Sequence, residues 1–97
     1  MMRPAQPSAD AARLRTGLAA LTHLTRAGAG LSTAELARRA DLSADFVDAV
    51  EAGSADPDPR QLDQLARGLG LADGDELRAS AADTARRIAD STVRPPA

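Results

Sequence analysis

The sequence has 97 residues, which is enough for one domain and too few for two. Hydrophobic residues make up 43% of the chain, but 23 residues are alanine and only one is aromatic, so the core must be built from leucine, valine and alanine at helical spacing. The formal net charge is −2, and zero cysteines with a single histidine exclude disulfides, thiolate metal sites and a zinc centre.

No apolar run is long enough to span a membrane, and residues 1–12 lack the apolar region of a signal peptide. We therefore expect a cytoplasmic protein that does not bind membranes and needs no metal or other cofactor. Residues 1–8 contain proline and show no periodic pattern, which predicts a flexible N-terminal arm. The first helix is predicted over residues 9–26, with leucines on one face at Leu14, Leu18, Leu21 and Leu24.

The second helix is signalled by a capping box, in which Ser32 and Glu35 each satisfy a free backbone N–H at a helix start. The spacing predicts a helix from Thr33, with apolar residues at Leu36, Ala37 and Ala40. Glu35, Arg38 and Arg39 then lie on the solvent face.

The third helix follows after a short break at Asp41-Leu42, where Leu42 fills the corner between the two helices. Ser43 is the second N-cap, and the predicted helix runs over residues 44–51 with Val47 and Val50 inward. Gly53 occupies the place of a left-handed C-cap. Two short helices joined by such a turn form a helix-turn-helix over residues 32–53.

Two further helices complete an all-α bundle. Asp58 caps a fourth helix that starts at Pro59 and runs to about Leu69. A fifth begins at residue 73 or 74 and extends to about residue 90, leaving a predicted flexible tail at 91–97. We call its apolar residues the α5 stripe: Leu77, Ala81, Ala85 and Ile88. The stripe predicts a homodimer interface, and the alternative is that it closes the monomer's own core.

Eight short signals occur along the chain in a fixed order, from residue 26 to residue 71. They are Arg26, Gly30-Leu31-Ser32, Leu36-Ala37, Leu42-Ser43, Val47 with Val50, Glu51-Ala52-Gly53, Pro59 and Ala66-Arg67-Gly68-Leu69-Gly70-Leu71. In this order they resemble the Cro/C1-type helix-turn-helix proteins, the XRE family of phage repressors and their bacterial relatives, over residues 12–80. The resemblance implies a compact five-helix bundle of the lambda-repressor-like type over residues 9–90.

The resemblance also implies a function and a set of contact residues. It indicates a DNA-binding transcription regulator that acts as a homodimer on half-sites about one helical turn apart. Arg26 and Glu51 match the family's structural ion pair. The positions that match the family's groove-facing residues are Ser43, Ala44, Asp45, Phe46, Asp48, Ala49 and Ala52. The phosphate-contacting positions are Thr33, Arg38, Arg39 and Arg60.

The charge pattern opposes this interpretation. Residues 1–40 carry a net charge of +4 and residues 41–97 a net charge of −6, and residues 41–58 hold six acids without a single arginine. DNA presents phosphates at this place, so an acidic recognition helix meets a repulsive field. The alternative function is a protein-interaction module that binds a basic partner and binds DNA weakly or not at all. We call its proposed docking region the acidic surface: Asp45, Asp48, Asp56 and Asp58.

Some residues of the motif have a structural interpretation as well as a functional one. Asp45 is able to accept a hydrogen bond from cytosine, and it also stabilises the first turn of its helix. Phe46 is able to contact a thymine methyl, or it packs on the bundle. No catalytic site is predicted, since His23 lacks a nearby nucleophile and is expected at the surface. Gly68, Gly70 and Gly74 are predicted to be turn residues.

Overall fold

Five α-helices in the predicted order form the structure: α1 (Ala9–Gly28), α2 (Thr33–Ala40), α3 (Ala44–Glu51), α4 (Pro59–Gly68) and α5 (Gly74–Val93). The computed structural model describes the backbone of residues 9–93 and the side chains of residues 11–91, and this part of the chain contains no strand. The predicted all-α class is therefore confirmed. The predicted arm at 1–8 lies outside the described residues, whereas α5 continues through residues 91–93, which were predicted to belong to the tail.

The helix-turn-helix has the predicted caps. Ser32 Oγ accepts a hydrogen bond from the Glu35 backbone N–H at 3.0 Å, and the Glu35 carboxylate accepts one from the Ser32 N–H at 2.8 Å. Ser43 Oγ accepts from the Phe46 N–H at 3.1 Å. Between the helices Asp41 ends α2 in the left-handed conformation, with φ 58°, which aspartate tolerates better than most residues. These local bonds fix where both helices begin and where the chain turns.

The fourth helix starts with a second capping box. Asp58 Oδ1 accepts a hydrogen bond from the Gln61 backbone N–H at 2.8 Å, and the Gln61 side chain accepts one from the Asp58 N–H at 3.0 Å. The sequence predicted the Asp58 cap and Pro59 in the first turn, and both are confirmed. At its other end, α4 does not reach Leu69, which forms the C-cap.

All five helices contribute to one core. Leu36, Val47, Leu65 and Leu77 are fully buried, and Leu18 is 1% exposed. The predicted inward residues of α2 and α3 are all buried, namely Leu36, Ala37, Ala40, Val47 and Val50. Leu42 packs against it as predicted for the corner between α2 and α3. The helix-turn-helix is thus held between α1 on one side and α4 on the other.

The prediction of which face of α1 is buried is wrong near the C-terminal end of the helix. Leu24 is 65% exposed, whereas Gly17 and Thr22 are buried instead. The reason is the approach of α5: a Cβ atom built on Gly17 would lie 1.9 Å from the carbonyl oxygen of Ala81. The face of α1 that meets the core is therefore centred on Leu18 and Gly17, and the leucine at position 24 falls outside it.

Three of the four residues of the α5 stripe close the monomer's own core. Leu77 and Ala81 are 0% exposed and Ala85 is 5% exposed, because α1 and α4 cover them. Only Ile88, at 37%, is accessible to another molecule. The prediction of Leu77, Ala81 and Ala85 as homodimer contacts is therefore corrected.

Of the three glycines predicted to be turn residues, only Gly70 lies in the turn after α4. Gly68 is the last residue of α4, and a Cβ atom there would lie 2.8 Å from the Cβ of Ala40. Gly74 is the first residue of α5, and a Cβ atom there would lie 2.8 Å from the Asp63 carboxylate. Both are positions of close packing between helices.

A buried hydroxyl in α1 gives a stability prediction. Thr22 is 0% exposed, and its Oγ1 has no hydrogen-bond partner among the described residues. Thr22→Val keeps the shape and removes the unsatisfied donor, so we expect the free energy of unfolding to rise by about 1 kcal/mol. Thr16→Val, at an exposed position of the same helix, is the matched control and should change little, because valine and threonine have similar helix propensities. Thermal unfolding measures both, and a loss of stability in Thr22→Val alone contradicts the prediction.

Candidate nucleic-acid interface

The exposed face of α3 carries acids and small residues. Asp45 and Asp48 are exposed, as is the N-cap Ser43, while Ala44 and Ala49 are half-buried. Phe46 is also half-buried and packs against the core, which confirms the structural interpretation of this aromatic. The surface that the helix presents to a DNA groove therefore consists mainly of two carboxylates and a hydroxyl that already caps the helix.

Few positive charges neutralise this helix. Within residues 9–93, neither Asp45 nor Asp48 forms an ion pair. The other two members of the acidic surface do have partners, since Asp56 receives a hydrogen bond from Arg15 at 3.0 Å and Asp58 caps α4. The charge contradiction found in the sequence is therefore present in the folded protein at Asp45 and Asp48.

The predicted phosphate-contacting residues lie on both sides of the motif. Thr33 is half-buried at the start of α2, and Arg38 and Arg39 are exposed in its last turn. Arg60 is exposed in the first turn of α4. The structure brings Arg39 and Arg60 together in one groove between α2 and α4, and leaves Thr33 and Arg38 outside it.

A third arginine lines the same groove and was not among the predicted site residues. Arg67 in the last turn of α4 joins Arg39 and Arg60, and we call this set of three the basic groove. The signal for it was present in the sequence: Arg60, Gln64 and Arg67 follow the i, i+4, i+7 spacing of one helical face. Only the packing of α4 against α2 shows that Arg39 meets this face.

The predicted ion pair between Arg26 and Glu51 is confirmed, and it belongs to a larger network of polar contacts. Arg26 Nε donates to Glu51 Oε2 at 2.6 Å, and Arg26 Nη2 donates to Glu51 Oε1 at 2.9 Å. Arg26 Nη1 donates to the backbone carbonyl oxygen of Leu31 at 2.7 Å. His23 is exposed as expected, and its Nδ1 lies 3.2 Å from Glu51 Oε1. Helix α1 is thereby connected to the end of α3.

This network changes the acid–base properties of its members. The hydrogen bonds from Arg26 hold the pKa of Glu51 below the ordinary value for a glutamate, although burial acts in the opposite direction. The same bond raises the pKa of Arg26 further above its ordinary value. The side chains of Arg26 and Glu51 are 16% and 12% exposed. The pair is therefore charged and structural, and leaves little of either side chain available to a ligand.

Neither a metal site nor a membrane span is found among the described residues. No three histidine, aspartate or glutamate side chains among them are grouped so that they could hold a metal ion. None of the helices has the length and apolar composition to cross a membrane.

The two capped helices, their left-handed turn and their packing between α1 and α4 define a helix-turn-helix protein. The family model for the helix-turn-helix domain matches residues 11–81, so the chain belongs to this family, which is associated with XRE/Cro-type helix-turn-helix proteins. Membership supports a DNA-binding regulator in general. Searches of curated proteins and of solved structures gave no match.

Proposed function

We propose that the protein is a small, non-enzymatic transcription regulator of the Cro/C1 type that binds double-stranded DNA in the bacterial cytoplasm. The observation that supports this proposal is the capped helix-turn-helix of α2 and α3, within a match to the domain family over residues 11–81. In this arrangement the N-terminal end of α3 enters the major groove, while the neighbouring elements contact the DNA backbone.

The proposed base contacts involve few groups. Ser43 and Asp45 are the polar side chains at the start of α3, and Asp45 is able to accept a hydrogen bond from cytosine N4. Affinity must therefore depend mainly on phosphate contacts, for which Thr33, Arg38, Arg39 and Arg60 are the proposed residues. We expect the binding to be weak and strongly dependent on salt.

A second function is favoured by one observation: Asp45 and Asp48 are exposed and form no ion pair with the described residues. In this alternative the acidic surface docks onto a basic protein, since complementary charge directs such encounters. The fold would then present a protein-binding face at the place where relatives contact DNA, which is possible because fold does not determine function.

Fluorescence anisotropy with random double-stranded DNA, first at low and then at rising salt, distinguishes the two functions. We expect salt-sensitive binding, and we expect Arg38→Ala to lower the slope of log affinity against log salt by about 1. Asp45→Asn should tighten the binding to random DNA, because it removes a negative charge from the helix that enters the groove. Asp90→Asn, the same change at an exposed position of α5, is the control and should have no effect.

Absence of binding at low salt, where electrostatic attraction is strongest, contradicts the proposed function as a DNA-binding regulator. That result leaves the acidic surface as the better-supported site and directs the search to a basic protein partner. Binding that is unaffected by both Arg38→Ala and Asp45→Asn shows that the DNA lies on another face of the molecule.

A further inference from the structure

Three arginines from two helices line the basic groove. Arg39 comes from the last turn of α2, and Arg60 and Arg67 come from the first and last turns of α4. Seven residues are close to two full turns of an α-helix, so Arg60 and Arg67 lie one above the other on the same side of α4. Gln64 lies between them in the same groove.

The charges in the basic groove are not balanced by acids. Asp41 is the one acidic residue that lines the groove, and among residues 9–93 none of the three arginines forms an ion pair. Other arginines differ in this respect, since Arg15 and Arg26 each bind a carboxylate. An anion bound in the groove would interact favourably with positive charges that have no such partner. The groove thus has the composition of an anion site.

The basic groove lies next to the turn of the helix-turn-helix. Gln64 Nε2 donates a hydrogen bond to the backbone carbonyl oxygen of Asp41 at 3.0 Å, which holds α4 against the turn of the helix-turn-helix. Asp41 is two residues before Ser43, the N-cap of α3. Arg39 and Arg67 also line a second groove that reaches Leu31 and Gly70. A basic, concave path therefore runs from beside the start of α3 along the contact between α2 and α4.

We infer that the basic groove holds phosphate groups of the DNA backbone next to the N-terminal end of α3, with Arg67 as a binding residue. The inference rests on the proposed function and addresses its main difficulty. Positive charge that α3 lacks is supplied by the side chains of α2 and α4, so the DNA strand is held beside the acidic helix by its neighbours. Guanidinium groups suit this task because they bind phosphate oxygens in a bidentate geometry.

The test measures DNA affinity against salt for Arg67→Ala, with Arg78→Ala as control. Both variants remove one exposed arginine, but Arg78 lies on α5 in a groove lined by Asp63, Asp73 and Asp75. We expect Arg67→Ala to weaken binding about fivefold and to lower the salt slope by about 1, and Arg78→Ala to leave both unchanged. Arg67→Lys keeps the charge and should retain most of the slope.

A variant with the opposite expected effect separates binding from loss of structure. Asp41→Asn removes the negative charge of the one acidic residue that lines the basic groove, and asparagine tolerates the left-handed conformation of this position. It should tighten binding about twofold, which damage to the fold would not produce. Asp90→Asn is again the control.

The outcomes distinguish the inference from the proposed function. If the wild type binds DNA but Arg67→Ala and Arg78→Ala have the same affinity and salt slope, the basic groove is not the phosphate site. The proposed function as a DNA-binding regulator is then retained. If the wild type binds no DNA at low salt, the proposed function fails and the inference fails with it. Selective weakening by Arg67→Ala together with tightening by Asp41→Asn supports both.

Discussion

Gly17→Ala is expected to lower the free energy of unfolding by about 3 kcal/mol and the melting temperature by roughly 15 °C. The added Cβ atom would lie 1.9 Å from the carbonyl oxygen of Ala81 and 2.8 Å from its carbonyl carbon. Both atoms belong to the backbone of α5, so no side chain is able to rotate away and the two helices must separate. The contact between α1 and α5 covers Leu18 and Leu77, and separation exposes these core residues. Thermal unfolding followed by circular dichroism measures the effect.

Gly28→Ala provides the matched control in the same helix. Gly28 is the last residue of α1, and an added Cβ atom has no other atom within 4 Å. This substitution should raise stability by about 0.5 kcal/mol, because alanine has the higher helix propensity. If Gly17→Ala stabilises the protein as Gly28→Ala does, the close approach of α1 and α5 does not exist.

Arg26→Ala is expected to lower the melting temperature by roughly 10 °C at neutral pH. The substitution removes two hydrogen bonds to the carboxylate of Glu51 and one to the carbonyl oxygen of Leu31. It leaves the Glu51 side chain, 12% exposed, with His23 as its remaining partner among the described residues. Arg15→Ala, which breaks the more exposed pair with Asp56, should lower the melting temperature much less. Equal losses of melting temperature in the two variants would show that the Arg26–Glu51 pair contributes no more to stability than the Arg15–Asp56 pair.

The effect of Arg26→Ala should depend on pH in a defined direction. The bonds from Arg26 lower the pKa of Glu51 in the folded protein below its value in the unfolded chain. The stabilisation is therefore complete above the unfolded pKa, about 4.3, and is lost as the pH falls through the lower folded value. The difference in melting temperature between wild type and variant should be constant near neutral pH and should shrink below about pH 4. A difference that persists at low pH would indicate that the lost packing of Arg26 is responsible.

Short-range signals in the sequence predicted the helices well. The caps at Ser32, Ser43 and Asp58 depend on residues no more than three positions apart, and all three are present in the structure. The contacts of α1 and α5 were predicted less well, because they depend on how the two helices pack against each other, which local signals do not determine. Leucine spacing indicated a face that included Leu24, but the small residue Gly17 allowed the closer approach and decided which face is buried.

In the candidate site, too, some residues were predicted from the sequence and others were not. The Arg26–Glu51 pair was predicted because a known family pattern links the two positions, although they are 25 residues apart. Arg67 was not predicted, because nothing local indicates that α4 lies against the end of α2. The i, i+4, i+7 spacing of Arg60, Gln64 and Arg67 identifies a polar face of α4 but not the arginine from α2 that completes the groove.

The hydrogen bond from Gln64 to Asp41 has a consequence for how the motif can be used. Asp41 is the one described residue other than glycine with a positive φ, and the change of direction between α2 and α3 depends on it. Its carbonyl oxygen is bound by a side chain 23 residues further along the chain. A peptide cut at residues 32 and 53 keeps the turn sequence but loses this partner, together with the core surface of α1 and α4. The helix-turn-helix of this protein is therefore not a transplantable unit, and grafting its surface onto another scaffold requires the fourth helix as well.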